Sequence, residues 1–204
     1  MRVIRYSELA VVPWKNGAGV RRDLFTGEYL GVGNKGSPVA TWLIGIADLQ
    51  QDAPFSSYPG VSRWFMPTSA GRLTLMFRVS NSDRPVELNE ASPAHYFSGG
   101  DELHMLLHEG PMKALNVMTT GRVPKVTMAT RRLHDTSQLT WFPNRAGEVR
   151  LLLLVHGQCR LSEEGWSVTL LPLDALVGDA TSDTGVEVQA YGDCDLVEVL
   201  VRWC

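Results

Sequence analysis

Apolar residues along this chain come in short bursts rather than long stripes. Arg72–Val79, Val86–Leu88, Trp166–Leu171, Val186–Tyr191 and Leu196–Val201 are apolar or alternating runs of strand length. Clusters of Gly, Pro, Asn, Asp and Ser separate them, as turns separate strands. This spacing predicts an antiparallel sandwich or barrel. Helical spacing is scarce. Arg22–Leu30 and Leu103–His108 are the candidates for helical turns, and neither carries a long capped stripe of period 3.6.

The pattern also repeats in outline. Arg72–Phe77, Pro85–Gly100 and Glu102–Met118 in one half match Arg150–Val155, Trp166–Ala180 and Val186–Val201 in the other, as strand, turn and strand in the same order. The identities are weak and the order carries the argument. Two β-barrel units follow, 1–120 and 121–204, with the boundary near Thr119–Pro124 and strands from the C-terminus available to the first unit.

Composition narrows the partners. With 204 residues, 44% hydrophobic and 20% charged, the chain has enough apolar material for a packed core. A net charge of −3, with basic residues scattered, disfavours nucleic acid, whose binders present a basic face. The longest aliphatic run, Leu151–Val155, is far shorter than a membrane helix needs. The N-terminus lacks a basic-then-apolar signal, which predicts a cytoplasmic protein. Cys159, Cys194 and Cys204 form no CxxC pair and read as unbridged thiols of a reducing compartment.

Three segments carry candidate chemistry. In Pro13–Val20, Trp14 is a flat apolar wall, Lys15 a cation and Asn16 a donor–acceptor amide, while Gly17 and Gly19 permit positive φ and close approach. These residues suit a small anionic guest, or equally a glycine-rich turn with a packed Trp. In Ala53–Phe65, prolines bracket a tight loop and Arg63 enters the next strand, positioned to clamp a carboxylate or to sit on a strand edge. In Ala114–Met118 a strand would place Ala114, Asn116 and Met118 on one face. A buried Asn116 needs partners, so that face lines a pocket or meets solvent.

Metal and nucleophilic chemistry find little footing. Glu102, His104, His108 and Glu109 are the nearest approach to a metal set, but there is no HxH or HExxH pattern. No GxSxG, GxGxxG or P-loop is present, and the glycine-rich Gly31–Gly36 reads as a loop. No metal and no cofactor are expected.

Taken together, Trp14-Lys15-Asn16-Gly17-Ala18-Gly19, Trp42 with Ala47, Pro54–Gly60 with Arg63, and Leu115-Asn116-Val117-Met118 resemble the HutD/Ves family of bacterial proteins. Ala18 and Ala53 stand where the family has glycine, Gly45 where it has serine, and Ala114 where it has an acid. The resemblance implies an all-β bicupin fold, two stacked cupin-like antiparallel barrels with few short helices. It implies a metal-free binding protein, regulatory or accessory in bacterial histidine utilisation rather than an enzyme. The ligand would be a small carboxylate such as urocanate or formylglutamate, held in the first barrel. Lys15 and Arg63 would meet the carboxylate, Asn16 and Asn116 would orient it, and Trp14, Gly17 and Met118 would shape the walls. The alternative is a cofactor-independent isomerase or hydrolase on the same scaffold, with His95, His104 or Glu102 as base. Exposed sheet edges would allow a homodimer.

Overall fold

The computed structural model describes residues 1–29, 40–80, 82–121, 125–142, 147–178 and 184–202. Strand β1 (Arg2–Ile4) precedes a short 3₁₀ turn at Tyr6–Glu8. Next come β2 (Val12–Pro13), β3 (Val20–Tyr29), β4 (Ala40–Leu49), β5 (Ala53–Pro54), β6 (Val61–Pro67) and β7 (Arg72–Val79). They are followed by β8 (Ser82–Asn89), β9 (His95–Ser98), β10 (Leu103–Leu107) and β11 (Met112–Gly121). The rest are β12 (Lys125–Leu133), β13 (Gln138–Trp141), β14 (Glu148–His156), β15 (Cys159–Glu163), β16 (Trp166–Leu170), β17 (Ala175–Val177), β18 (Val186–Ala190) and β19 (Cys194–Arg202). The protein is all-β.

Two compact units are formed, Leu9–Val123 and a second made of Met1–Glu8 with Pro124–Cys204. In the N-terminal unit a sheet of order β2-β3-β4-β11-β6-β9 faces one of order β5-β10-β7-β8. In the C-terminal unit the orders are β1-β17-β14-β19-β12 and β13-β18-β15-β16. All pairings are antiparallel. The sheets are open rather than closed into barrels: each keeps two outer strands, and side chains rather than a continuous hydrogen-bond ladder bring the faces together. The first eight residues complete the C-terminal unit, so strand exchange runs opposite to the direction expected from sequence.

The same arrangement occurs twice. The set β4-β11-β6-β9 with β5-β10-β7-β8 recurs as β12-β19-β14-β17 with β13-β18-β15-β16, each strand eight places later. This corrects part of the sequence alignment of the halves. Arg72–Phe77 lies in β7, whose counterpart is β15, whereas Arg150–Val155 lies in β14, the counterpart of β6. The two helical candidates are corrected as well. Arg22–Leu30 falls in β3 up to Tyr29, with Leu30 outside the described residues, and Leu103–Leu107 is β10. In β10, Leu103 and Met105 are buried while His104 is exposed, the period-2 signature of a strand. The Gly31–Gly36 loop and Cys204 also lie outside the described residues.

Each unit has its own core. Phe65, Leu73, Leu75, Phe77, Phe97 and Met105 pack together in the N-terminal unit. Trp141, Leu152, Leu154, Leu161, Leu170 and Val188 fill the C-terminal one. Among the described residues no helix is long and apolar enough to cross a membrane.

Candidate functional site

The N-terminal unit holds a small cavity of about 40 Å³. Strand alternation delivers its walls. On the central strand β11, Asn116 and Met118 project to the same side as Ala114. Their register neighbours are Gly45 and Leu43 on β4, and Phe65 and Arg63 on β6. Phe55, Ser56 and Tyr58, from the segment joining β5 to β6, close one side, and Trp14 another. Arg21 reaches in from β3.

Arg63 dominates the electrostatics. It is only 7% exposed. Its Nη2 donates to Asn116 Oδ1 at 3.0 Å, and Nη1 makes a long 3.5 Å contact to the Ser56 carbonyl. Its Nε has no partner among the described residues. The guanidinium carbon lies 4.8 Å from the Phe55 ring centre and 5.1 Å from that of Phe97. Rings of this kind compensate a cation only in part. No carboxylate pairs with Arg63 among the described residues. Burial therefore pushes its guanidinium down to about 10, and the charge of Arg21 pushes the same way. Arg21 is the contrast: Asp23 takes its Nε at 2.7 Å and raises its proton affinity. One arginine in the cavity is neutralised by its own chain and the other is not.

Asn116 is 7% exposed, and its carbonyl oxygen is used by Arg63. Its amide nitrogen makes no hydrogen bond to the described residues.

A larger hollow of about 380 Å³ lies alongside the cavity and shares part of its wall. Arg21, Leu43, Tyr58 and Met118 border both spaces, and Trp42, Thr41 and Thr120 line the outer one.

The residues expected from sequence divide cleanly. Trp14, Arg63, Asn116 and Met118 line the cavity; Lys15, Asn16 and Gly17 do not. Asn16 is a clasp instead. Its Nδ2 donates to the Pro54 carbonyl at 2.6 Å, its Oδ1 accepts from the Ala18 amide, and its own amide reaches Ser56 Oγ at 3.3 Å. Gly17 turns the chain at φ +72°, and Gly19 passes so near Trp14 that a Cβ would lie 2.9 Å from the indole. Lys15 Nζ sits 5.6 Å from the centre of the Tyr58 ring, on the outside. The segment thus pins the Trp14 wall rather than touching the cavity with its amide or cation. Arg21, Ser56 and Tyr58 line the cavity without having been singled out; only the Pro54–Gly60 loop hinted at the latter two.

The remaining polar candidates lie elsewhere. His95 packs against the Phe77 and Phe97 rings and borders a separate hollow, and burial pushes its imidazole down. Glu102 and His104 line another. His108 Nε2 is 2.7 Å from Thr74 Oγ1. Among the described residues no group of three or more His, Cys, Asp or Glu is placed to hold a metal.

Comparison with solved structures places this geometry in a class. A conserved protein of unknown function from Pseudomonas aeruginosa PAO1 superposes with a TM-score of 0.75 at 22% identity, over 99% of this chain and 98% of that one. HutD from Pseudomonas fluorescens SBW25 superposes at 0.66 with 20% identity, over 99% of both chains. A cupin 2 conserved barrel domain protein from Leptotrichia buccalis does so at 0.58 with 12% identity, over 98% and 96%. The fold is therefore cupin-like. The HutD family pattern matches residues 6–196, and the chain belongs to the HutD family. No curated protein matches the sequence.

Proposed function

We propose that this protein is a bicupin that binds a small carboxylate metabolite in the cavity of its N-terminal unit, with a regulatory or accessory role in bacterial histidine utilisation. The observation that carries the reading is Arg63: a buried guanidinium in the wall of the cavity, with no carboxylate partner among the described residues. A buried charge is costly unless paired, and a carboxylate ligand would supply the pair. The site needs no metal, because the guanidinium provides the positive charge.

Volume sets how a larger ligand would lie. The inner cavity takes a carboxylate head and little more, leaving the body of urocanate or formylglutamate in the outer hollow beside Trp42 and Tyr58. Formate alone, at a ceiling of about 1.5 kcal/mol for each of its few atoms, would bind with about millimolar affinity. The enzymatic alternative has less support: no carboxylate or imidazole lines the inner cavity, Glu28 borders only the outer hollow, and His95, His104 and Glu102 border other hollows.

Calorimetric titration with formate, urocanate and formylglutamate tests the reading. Heat is expected with wild type and none with Arg63→Met. Absence of binding for all three at millimolar ligand, or equal binding by both proteins, overturns it.

A further inference from the structure

The repeated strand order allows the two units, each taken by itself, to be compared residue by residue. In the N-terminal unit β11 pairs with β6 so that Asn116 faces Phe65 and Met118 faces Arg63. In the C-terminal unit β19 pairs with β14 so that Glu198 faces Leu152 and Leu200 faces Arg150. The frame is anchored by core side chains. Phe65 and Leu152 are buried at matching places, as are Ala114 and Leu196, and Met112 and Cys194. Arg150 is thus the counterpart of Arg63, and Glu198 the counterpart of Asn116.

The two positions differ in charge. Arg63 meets a neutral amide at 3.0 Å. Arg150 meets carboxylates: Glu198 Oε1 at 3.8 Å and Glu148 Oε2 at 3.2 Å. Glu198 also accepts from Trp141 Nε1 at 3.2 Å and Arg131 Nη2 at 3.1 Å, and Glu148 takes Arg202 Nη2 at 2.5 Å. Burial alone would raise the Glu148 carboxyl, but the hydrogen bonds and charges of Arg202 and Arg150 hold it below its usual range. Every acid around Arg150 is therefore committed to a cation.

We propose that Glu198, with Glu148, supplies in the C-terminal unit the negative charge that an external anion supplies beside Arg63, so that this unit is a second anion site closed by its own carboxylates, and that the neutral asparagine at position 116 keeps the first one open. The inference rests on the anion-binding reading of the Arg63 cavity and adds the residue that decides it. A carboxylate fixed on the adjacent strand loses no translational freedom on pairing, whereas a free metabolite does. A free carboxylate of millimolar affinity does not displace such a partner. The chemical class follows: both positions recognise a carboxylate, and only the one lacking an internal acid accepts it from solution.

The test uses the full chain, with formate as the probe and thermal unfolding at matched ionic strength as the readout. Asn116→Asp brings a carboxylate to Arg63. It is expected to keep or raise the melting temperature without formate and to weaken formate binding at least ten-fold. The reverse double change, Glu148→Gln with Glu198→Gln, made in an Arg63→Met background, frees Arg150 of both its acids and is expected to create a formate-dependent rise that Arg63→Met alone lacks, since glutamine at 198 still accepts from Trp141. If wild type binds formate through Arg63 and Asn116→Asp binds it equally well, the inference falls and the anion-binding reading stands. If wild type does not bind formate, that reading fails first and takes the inference with it. A folded triple variant with no formate response removes the claim for the C-terminal unit. Should the triple variant not fold, Asn116→Asp alone decides the role of position 116.

Discussion

Replacing Arg63 by methionine should cost the ligand-free protein at most about 2 kcal/mol, although removing one partner of a buried ion pair ordinarily costs about 3–5 kcal/mol. Methionine keeps an apolar stem against Phe55 and Phe97 and deletes the charge. Burial lowers the guanidinium from 12.5 to about 10. At about 1.4 kcal/mol per tenfold, this is about 3 kcal/mol set against the cation in the folded state. The penalty is complete below the folded value and lifts as pH climbs from about 10 towards the unfolded value, so it acts in full at neutral pH. Against it stand the charged hydrogen bond to Asn116, about 1.5–3 kcal/mol, and two ring contacts of about 0.5–1 kcal/mol each. The opposing contributions largely cancel, and Arg63→Met should lie between about 0.5 kcal/mol more stable and about 2 kcal/mol less stable. Denaturation with and without formate measures both halves of the argument. At a hundred times its Kd, formate should stabilise wild type by about 2.7 kcal/mol, about 5–10 °C for a chain of this size. It should leave the variant unmoved. A loss of about 3 kcal/mol or more in the ligand-free variant would show that Arg63 is a structural pin, and a shared formate response would show that the anion sits elsewhere.

Other expectations follow from the same coordinates. Formate affinity should hold steady around neutral pH and fall as pH passes about 10, where Arg63 loses its proton; calorimetry across that range reads it, and an undiminished affinity above it would exclude Arg63 as the charge. Asn16→Ala should speed amide exchange across residues 14–19 and cost about 1–2 kcal/mol by unfastening the clasp. It should change carboxylate affinity much less than Arg63→Met does, and an equal loss would return Asn16 to the binding set. Gly45→Ser should destabilise by about 1–3 kcal/mol, because its Cβ would lie 2.9 Å from the Arg22 carbonyl; an unchanged melting temperature counts against that steric reading. Cys159, buried and pushed up to about 12, and Cys194, also raised by burial, should resist iodoacetamide at about pH 8 until the protein unfolds. Mass spectrometry of the native protein checks this, and rapid labelling of Cys159 would contradict it.

The strand-rich character was legible because Arg72–Val79 and Trp166–Leu170 keep their turn-bounded pattern, and both are strands. Arg22–Leu30 misled for a physical reason. The ladder between β3 and β4 slips between Asp23 and Phe25, so the strand loses its strict alternation there and imitates helical spacing. Strand β4 escaped notice because Ile44, Gly45, Ile46, Ala47, Asp48 and Leu49 are all buried, leaving no alternation to read. At the site, Asn116 stood out as an amide between apolar neighbours, and Arg63 as a cation in an aromatic stretch. Lys15, Asn16 and Gly17 were just as conspicuous, yet their chemistry serves the turn that holds Trp14. Arg21 gave no local signal, since its place depends on the pairing of β3 with β4.

Pairing Arg2–Ile4 with Ala175–Val177, reinforced by Arg5 and the Tyr6 amide on Asp174, ties β1 to a strand that is made only after the whole of Leu9–Val123. The intervening unit can therefore close while its flanking partner has only this edge strand and still lacks the rest of its sheets. A fragment cut after Gly121 would leave the downstream half short of a strand.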